Sequence, residues 1–264
     1  MKVCLDPGHG ASDSGAVANG ITEKTVNLKV ALAVSTELKR RGHTVVMTRT
    51  SDTDFAAGVK PGAAPITTRG CYSVVQKADI FVSIHHDASG SASARGCSGF
   101  YHEGAPNGKD LAAQCTTRLH EKFAMPYAYG PPARVHWVNL GVLRGCDNWR
   151  HVTCCLVECA MLTNATDAAN IKEPGYAAKA AKCIADGIEA HAAKEGLIAE
   201  EPLADTGVVV VELPGDKVLT RRGREVEPGE LWVPLREVAE AQGYTVIPHI
   251  EDQGKVYLTK DVTP

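Results

Sequence analysis

Four residues that lie far apart along the chain, His9, Glu23, His85 and Glu158, are of the types that hydrolytic metal chemistry uses. His9 follows the short apolar run Val3-Cys4-Leu5 through Asp6-Pro7-Gly8. Pro7 cannot extend a central ladder and Gly8 accepts unusual backbone angles, so the run reads as a buried strand ending in a turn that carries His9. The carboxyl ends of strands are where open α/β sheets bind ligands. Gly10, Gly15 and Gly20 keep the following segment a loop until Glu23 arrives at the start of an amphipathic helix. His85 closes a second apolar run, Ile80-Phe81-Val82-Ser83-Ile84, and Glu158 closes a third, Cys154-Cys155-Leu156-Val157.

Two imidazoles and a carboxylate suit zinc, and three protein ligands leave the fourth tetrahedral position open for water. An ion held in that way lowers the pKa of its water towards neutrality and polarises a carbonyl oxygen. Glu158 supplies the proton carrier. Its apolar neighbourhood raises its pKa, which suits it to take a proton from water and deliver it to a leaving amine. Each residue also has a plainer account: His9 as a turn residue, Glu23 as helix-start charge, Glu158 as an ion-pair partner. Of the adjacent His85 and His86, one reads as a solvated or packing residue. No H-E-x-x-H helix occurs. Spacing alone leaves both readings open.

The elements that must position these residues follow from the apolar patterning. Residues 27–41 place Leu28, Val30, Ala31, Leu32, Val34 and Leu38 on one helical face, with Arg40-Arg41 and then Gly42 as a stop. His43 to Arg49 reads as a second strand, giving a βαβ unit and hence a largely parallel sheet. Residues 50–65 read as a long loop, Thr67 to Lys77 as a helix, and Asp79 to Ile84 as a third strand. Gly99-Phe100-Tyr101 is a short strand, Lys109 to Phe123 a helix, and 124–133 irregular. Leu140 to Leu143 is a short apolar segment, His151 to Val157 a strand ended by Glu158, and Tyr176 to His191 an alanine-rich helix. The fold class is α/β: a twisted, mostly parallel sheet with helices on both faces. A small C-terminal α+β module follows, with β-like runs at 208–211, 218–219 and 255–258 around a short helix at 234–242. The domains are 1–192 and 207–264, joined by a linker at 193–206.

With 264 residues, 44% apolar and 22% charged, the chain has ample material for a core. A net charge of −3 shows no bulk basicity, which argues against a nucleic-acid partner. No apolar run reaches the length of a membrane span. The nine cysteines are odd in number and show no C-x-x-C pair, so they read as buried thiols of a reducing compartment rather than a disulfide framework. Adjacent Cys154 and Cys155 point to opposite faces of their strand. The start of the chain shows no basic leader or cleavage site, which reads as cytoplasmic synthesis until release, or alternatively as secretion with the leader missing.

Asp6-Pro7-Gly8-His9-Gly10, then Asp13-x-Gly15-Ala16 and Gly20-x-x-Glu23, resemble the opening of the zinc-dependent N-acetylmuramoyl-L-alanine amidases. Ala78 to His85 is similar to that family's second metal motif. Val142-Leu143-Arg144 with Leu156-Val157-Glu158-x-x-x-Leu162-Thr163-Asn164 is similar to its catalytic motif. The likeness runs in order from Lys2 to about His191. It implies His9, Glu23 and His85 as ligands of one Zn2+, Glu158 as the catalytic glutamate, and hydrolysis of the amide between N-acetylmuramic acid and L-alanine in peptidoglycan. Asp87 stands where the family has Asn, and is expected to accept a hydrogen bond from a ligand histidine or to dampen the Lewis acidity. Cys159 and Met161 replace the usual Gly and Phe.

Arg144 is a candidate for holding a stem-peptide carboxylate, and His136 and Asn139 for lining the substrate groove. Residues 231–240, 243–246 and 256–258 resemble the small repeat of copper amine oxidase N-terminal-like domains in bacterial surface proteins. Only His249 there could bind copper, so wall attachment or self-association is the expectation. The implied role is a phage or prophage endolysin. The competing readings are a zinc peptidase acting on free peptides and a non-catalytic wall-binding protein.

Overall fold

A computed structural model describes residues 1–53, 65–102, 106–129, 135–137, 140–147 and 152–198, together with the strands of the C-terminal segment. Among the described residues of the first unit, Met1–Ala199, there are eight strands and six helices. The central sheet uses β1 (Lys2–Pro7), β4 (Thr44–Met47), β5 (Ile80–Asp87), β6 (Ser98–Tyr101), β7 (Val135–Trp137) and β8 (Thr153–Met161) in the order β4-β1-β5-β8-β6-β7. β4, β1, β5 and β8 are mutually parallel, whereas β6 pairs antiparallel with β8. A two-stranded hairpin, β2 (Val17–Ala18) and β3 (Ile21–Thr22), stands apart from the sheet.

The strands are apolar on both faces because helices cover both. Val3, Leu5, Ile80, Val82, Ile84, Cys155 and Val157 pack into one core with α1 (Glu23–Arg40), α3 (Pro106–Phe123) and α6 (Tyr176–Lys194). Cys4, Phe81, Cys154 and Leu156 face the other way, towards α2 (Pro65–Val75) and α4 (Gly141–Asp147). Cys154 and Cys155 therefore do lie on opposite faces. All nine cysteines are free thiols, and eight of them are buried.

α1 begins at Glu23 and ends with Lys39 and Arg40 in its last turn. Gly42, at φ +86°, lets His43 N–H reach back to the Leu38 carbonyl. Two expectations from the sequence need correcting. Gly141 to Leu143, read only as part of a short apolar segment, open the helix α4, with Leu140 just ahead of it. β8 does not stop at Glu158: Cys159, Ala160 and Met161 are buried and continue the strand. Glu158 is held on both sides, opposite His85 on β5 and Ser98 on β6. A further helix, α5 (Ala165–Lys172), follows, with the Asn164 side chain accepting from Thr166 N–H and Asp167 N–H at its start.

The second unit, Glu200–Pro264, forms an antiparallel sheet of β9 (Val209–Glu212), β10 (Val218–Leu219), β11 (Glu225–Val226), β12 (Tyr244–Pro248) and β13 (Lys255–Lys260), ordered β11-β10-β9-β13-β12. The helix expected at 234–242, His249, most of the 193–206 linker and most of the 50–65 loop lie outside the described residues. Among the described residues, no helix is long and apolar enough to cross a membrane.

Candidate metal centre

β1 ends at Pro7 and the chain turns at once. Gly8 N–H donates to the Ile84 carbonyl, and His9 takes a left-handed backbone with φ +61°. Such a backbone is uncommon for a residue with a Cβ, and the guanidinium groups of the buried Arg49 and the half-buried Arg69 hold it. Arg49 donates to the carbonyls of Pro7, Gly8 and Lys24, and Arg69 to those of Pro7 and His9. Arg69 also bonds the buried Asp6 carboxylate, which accepts from Thr48 and Ser83 as well. Burial alone would raise the Asp6 carboxyl, but the Arg69 charge and these hydrogen bonds outweigh it and hold the group below its ordinary value.

The hairpin β2–β3 delivers Glu23 to the first turn of α1. Glu23 N–H donates to the Ala16 carbonyl, and Ala16 N–H donates to Glu23 Oε2. The other carboxylate oxygen, Oε1, lies 3.0 Å from His9 Nε2 and 3.0 Å from His85 Nδ1. One donor atom from each of His9, Glu23 and His85 lies within 4.8 Å of the others. Burial opposes ionisation of Glu23, yet the bonds from His85 and His9 carry its carboxyl far below the usual range. His9 Nδ1 donates to Asp13 Oδ2 at 2.8 Å, which leaves Nε2 as the face turned to Glu23. Backbone close to the ligands leaves no space for side chains. A Cβ on Gly8 would meet the His85 ring at 2.2 Å, and one on Gly15 would meet Glu23 Oε2 at 2.5 Å.

Glu158 sits beside this cluster because its Cα is paired with that of His85 across parallel strands. Its Oε2 is buried and has no hydrogen-bond partner among the described residues. Burial, with the negative charges of Asp87 and Glu23 nearby, pushes its carboxyl well above the ordinary value. A buried acceptor that bonds nothing is rare and calls for a functional account.

The family model described as N-acetylmuramoyl-L-alanine amidase matches residues 3–190. The chain belongs to that family. Over 187 residues it is 33% identical to the N-acetylmuramoyl-L-alanine amidase LytC of Bacillus subtilis strain 168, covering 70% of this chain and 34% of that relative. It is 30% identical over 201 residues to the germination-specific N-acetylmuramoyl-L-alanine amidase of the same strain, covering 74% and 81%. Among solved structures, the catalytic domain of the amidase CwlV from Bacillus (Paenibacillus) polymyxa var. colistinus superposes with a TM-score of 0.59 and 30% identity, covering 72% of this chain and 97% of that one. The chain thus spans about a third of LytC but nearly all of a catalytic domain of this amidase family.

The four residues picked out for chemistry come together; the weaker candidates do so less. Asp87 was expected to accept from a ligand histidine, but its oxygens take the Tyr129 hydroxyl and the Ala88 N–H. Asp13 serves His9 instead, because it lies four residues on in the same turn. Arg144 is exposed on α4, the helix packed with α2, and His136 lies on β7 paired with Phe100. Asn139 lies outside the described residues. Sequence reasoning gave no role to Asn27, Arg49 or Arg69, and took one of the pair His85 and His86 as merely solvated or packing. Asn27 had a signal, since i,i+4 spacing from Glu23 puts both on one helix face. The two arginines had none, because their partners are mainly backbone carbonyls.

Proposed function

We propose that this amidase-family chain hydrolyses the amide between the lactyl group of N-acetylmuramic acid and L-alanine in peptidoglycan, using one Zn2+ held by His9, Glu23 and His85. The observation that carries the reading is their convergence within 4.8 Å, with Glu158 on the neighbouring strand, its Oε2 without a partner among the described residues. The donor set fits zinc: two imidazole nitrogens and one carboxylate oxygen are its ligands, whereas calcium and magnesium take oxygen donors. When bound, the ion supplies Lewis acidity and a more acidic water.

The chain's own residues do the rest. Asp13 holds the His9 Nδ1 proton, so that Nε2 keeps its lone pair for the centre. Ala16 N–H steadies Glu23 Oε2. Glu158, whose burial favours the protonated form, accepts a proton at Oε2 from the attacking water and returns it to the departing alanine nitrogen. Arg144 and His136, with Asn139, are proposed to contact the glycan or stem peptide.

The domain scheme of 1–192, linker 193–206 and 207–264 belongs to this reading, with the last segment serving wall attachment or self-association. Nine free cysteines support folding in a reducing compartment before release to the wall, as in an endolysin. The test is digestion of purified peptidoglycan by the full chain with and without a chelator. New L-alanine amino termini should appear, vanish on chelation and return with Zn2+. Termini of other residues, or cleavage of free stem peptide in preference to peptidoglycan, would favour a peptidase. No new termini under any condition would leave a wall-binding protein.

A further inference from the structure

The adjacent histidines separate cleanly by face. His85 points to the metal cluster, whereas His86, the next residue along β5, points into the core between α1 and α6 and is 1% exposed. There its Nδ1 lies 2.8 Å from Asn27 Oδ1 and its Nε2 2.9 Å from the Tyr176 hydroxyl. Asn27, fully buried and one turn after Glu23 on α1, places Nδ2 at 3.1 Å from Glu23 Oε1. Tyr176, at the start of α6, is 2% exposed.

The chemistry of these groups permits one polarity. An ionised carboxylate only accepts, so Asn27 must turn its NH2 towards Glu23 and its carbonyl oxygen towards His86. His86 Nδ1 therefore carries the proton, its Nε2 is the lone-pair nitrogen, and the Tyr176 hydroxyl donates to it. The string runs Tyr176 to His86 to Asn27 to Glu23, through four buried side chains from three elements. Burial pushes the His86 imidazole down to about 3, in keeping with an uncharged ring. A buried polar string is favourable only when every member is satisfied, and this one is.

We infer that His86 and Tyr176 are positioning residues for the metal centre: through Asn27 they fix Glu23 Oε1 between the imidazoles of His9 and His85. This rests on the zinc reading above. Without the His86 N–H, the buried Asn27 Oδ1 loses its donor, and the amide is held only through Nδ2, by Glu23 Oε1 at 3.1 Å and the Gly8 carbonyl at 3.4 Å. If it flips, an oxygen faces Glu23 and the carboxylate turns away. Outer partners of metal ligands commonly govern affinity by about 10–100-fold.

The experiment is Zn2+ affinity by competition with a chromophoric chelator, with thermal unfolding of the metal-free protein alongside, for the full chain and its His86→Leu, His86→Asn and Tyr176→Phe variants. His86→Leu keeps bulk without a donor and should bind Zn2+ about tenfold or more weakly. His86→Asn places an amide N–H near the imidazole Nδ1 position and should restore most of the affinity. Tyr176→Phe should fall between, since Asn27 still selects the tautomer. If His86→Leu lowers only the unfolding temperature and leaves Zn2+ affinity within about twofold of the parent's, far short of the effect such partners exert, the string is structural and the inference is overturned. Should His86→Leu fail to fold, parental affinity in Tyr176→Phe overturns it equally. A parent chain that binds no Zn2+ removes the zinc reading, and this inference with it.

Discussion

Glu158 is the residue on which turnover depends most directly. Its buried Oε2 has no hydrogen-bond partner among the described residues, which leaves the atom available for a travelling proton. Glu158→Gln keeps the shape, leaves the ligands untouched and removes the proton-carrying capacity. It should therefore bind Zn2+ like the parent and lose about 10²–10⁴-fold in the rate of peptidoglycan hydrolysis. Normal turnover in that variant would reassign the proton carrier. His9, Glu23, His85 and Glu158 were legible in the sequence because each lies at or near the end of an apolar run or the start of a helix. Asn27 and His86 were not. A histidine next to a ligand looks spare until α1 and α6 fold over it.

At the scale of elements, the β1 turn is where the design is tightest. Gly8 has no room for a methyl, because its Cβ would meet the His85 ring at 2.2 Å. Gly8→Ala should displace that ring and weaken Zn2+ binding by about tenfold or more, measured by chelator competition. Parental affinity would mean the ring can yield without leaving the centre. The guanidinium clamp behind the turn makes a separate prediction about stability. Arg69→Met leaves the fully buried Asp6 without its ion-pair partner, held only by the Thr48 and Ser83 hydroxyls and the field of Arg49, and should cost about 3–5 kcal/mol in denaturant unfolding. The parallel strands were legible because they are apolar without alternation, as doubly covered strands must be. The β2–β3 hairpin, α4 and α5 were not, since two-residue strands and helices of seven or eight residues carry too little pattern. β8 outran its reading because a glutamate looked like an end, whereas the strand runs on through it to Met161 and its Oε2 is buried with no partner among the described residues.

Over the whole molecule, the buried His86 links stability to pH with a definite sign. Its folded value is about 3 against an ordinary 6.5. Between those values the unfolded chain binds the extra proton, so this contribution is fully present above 6.5 and is lost as pH falls towards 3. Denaturant midpoints of the metal-free parent should fall more steeply through that window than those of His86→Asn; parallel curves would contradict the assignment. The chain divides between Ala199 and Glu200, and the second unit forms its own antiparallel sheet. The central claim is that His9, Glu23 and His85 share one cation. Anomalous diffraction at the zinc edge, on crystals of the full chain grown with Zn2+, tests it most directly. A single strong peak about 2.0–2.2 Å from one donor atom of each residue is predicted; a peak ligated elsewhere, or none at this cluster, would contradict it.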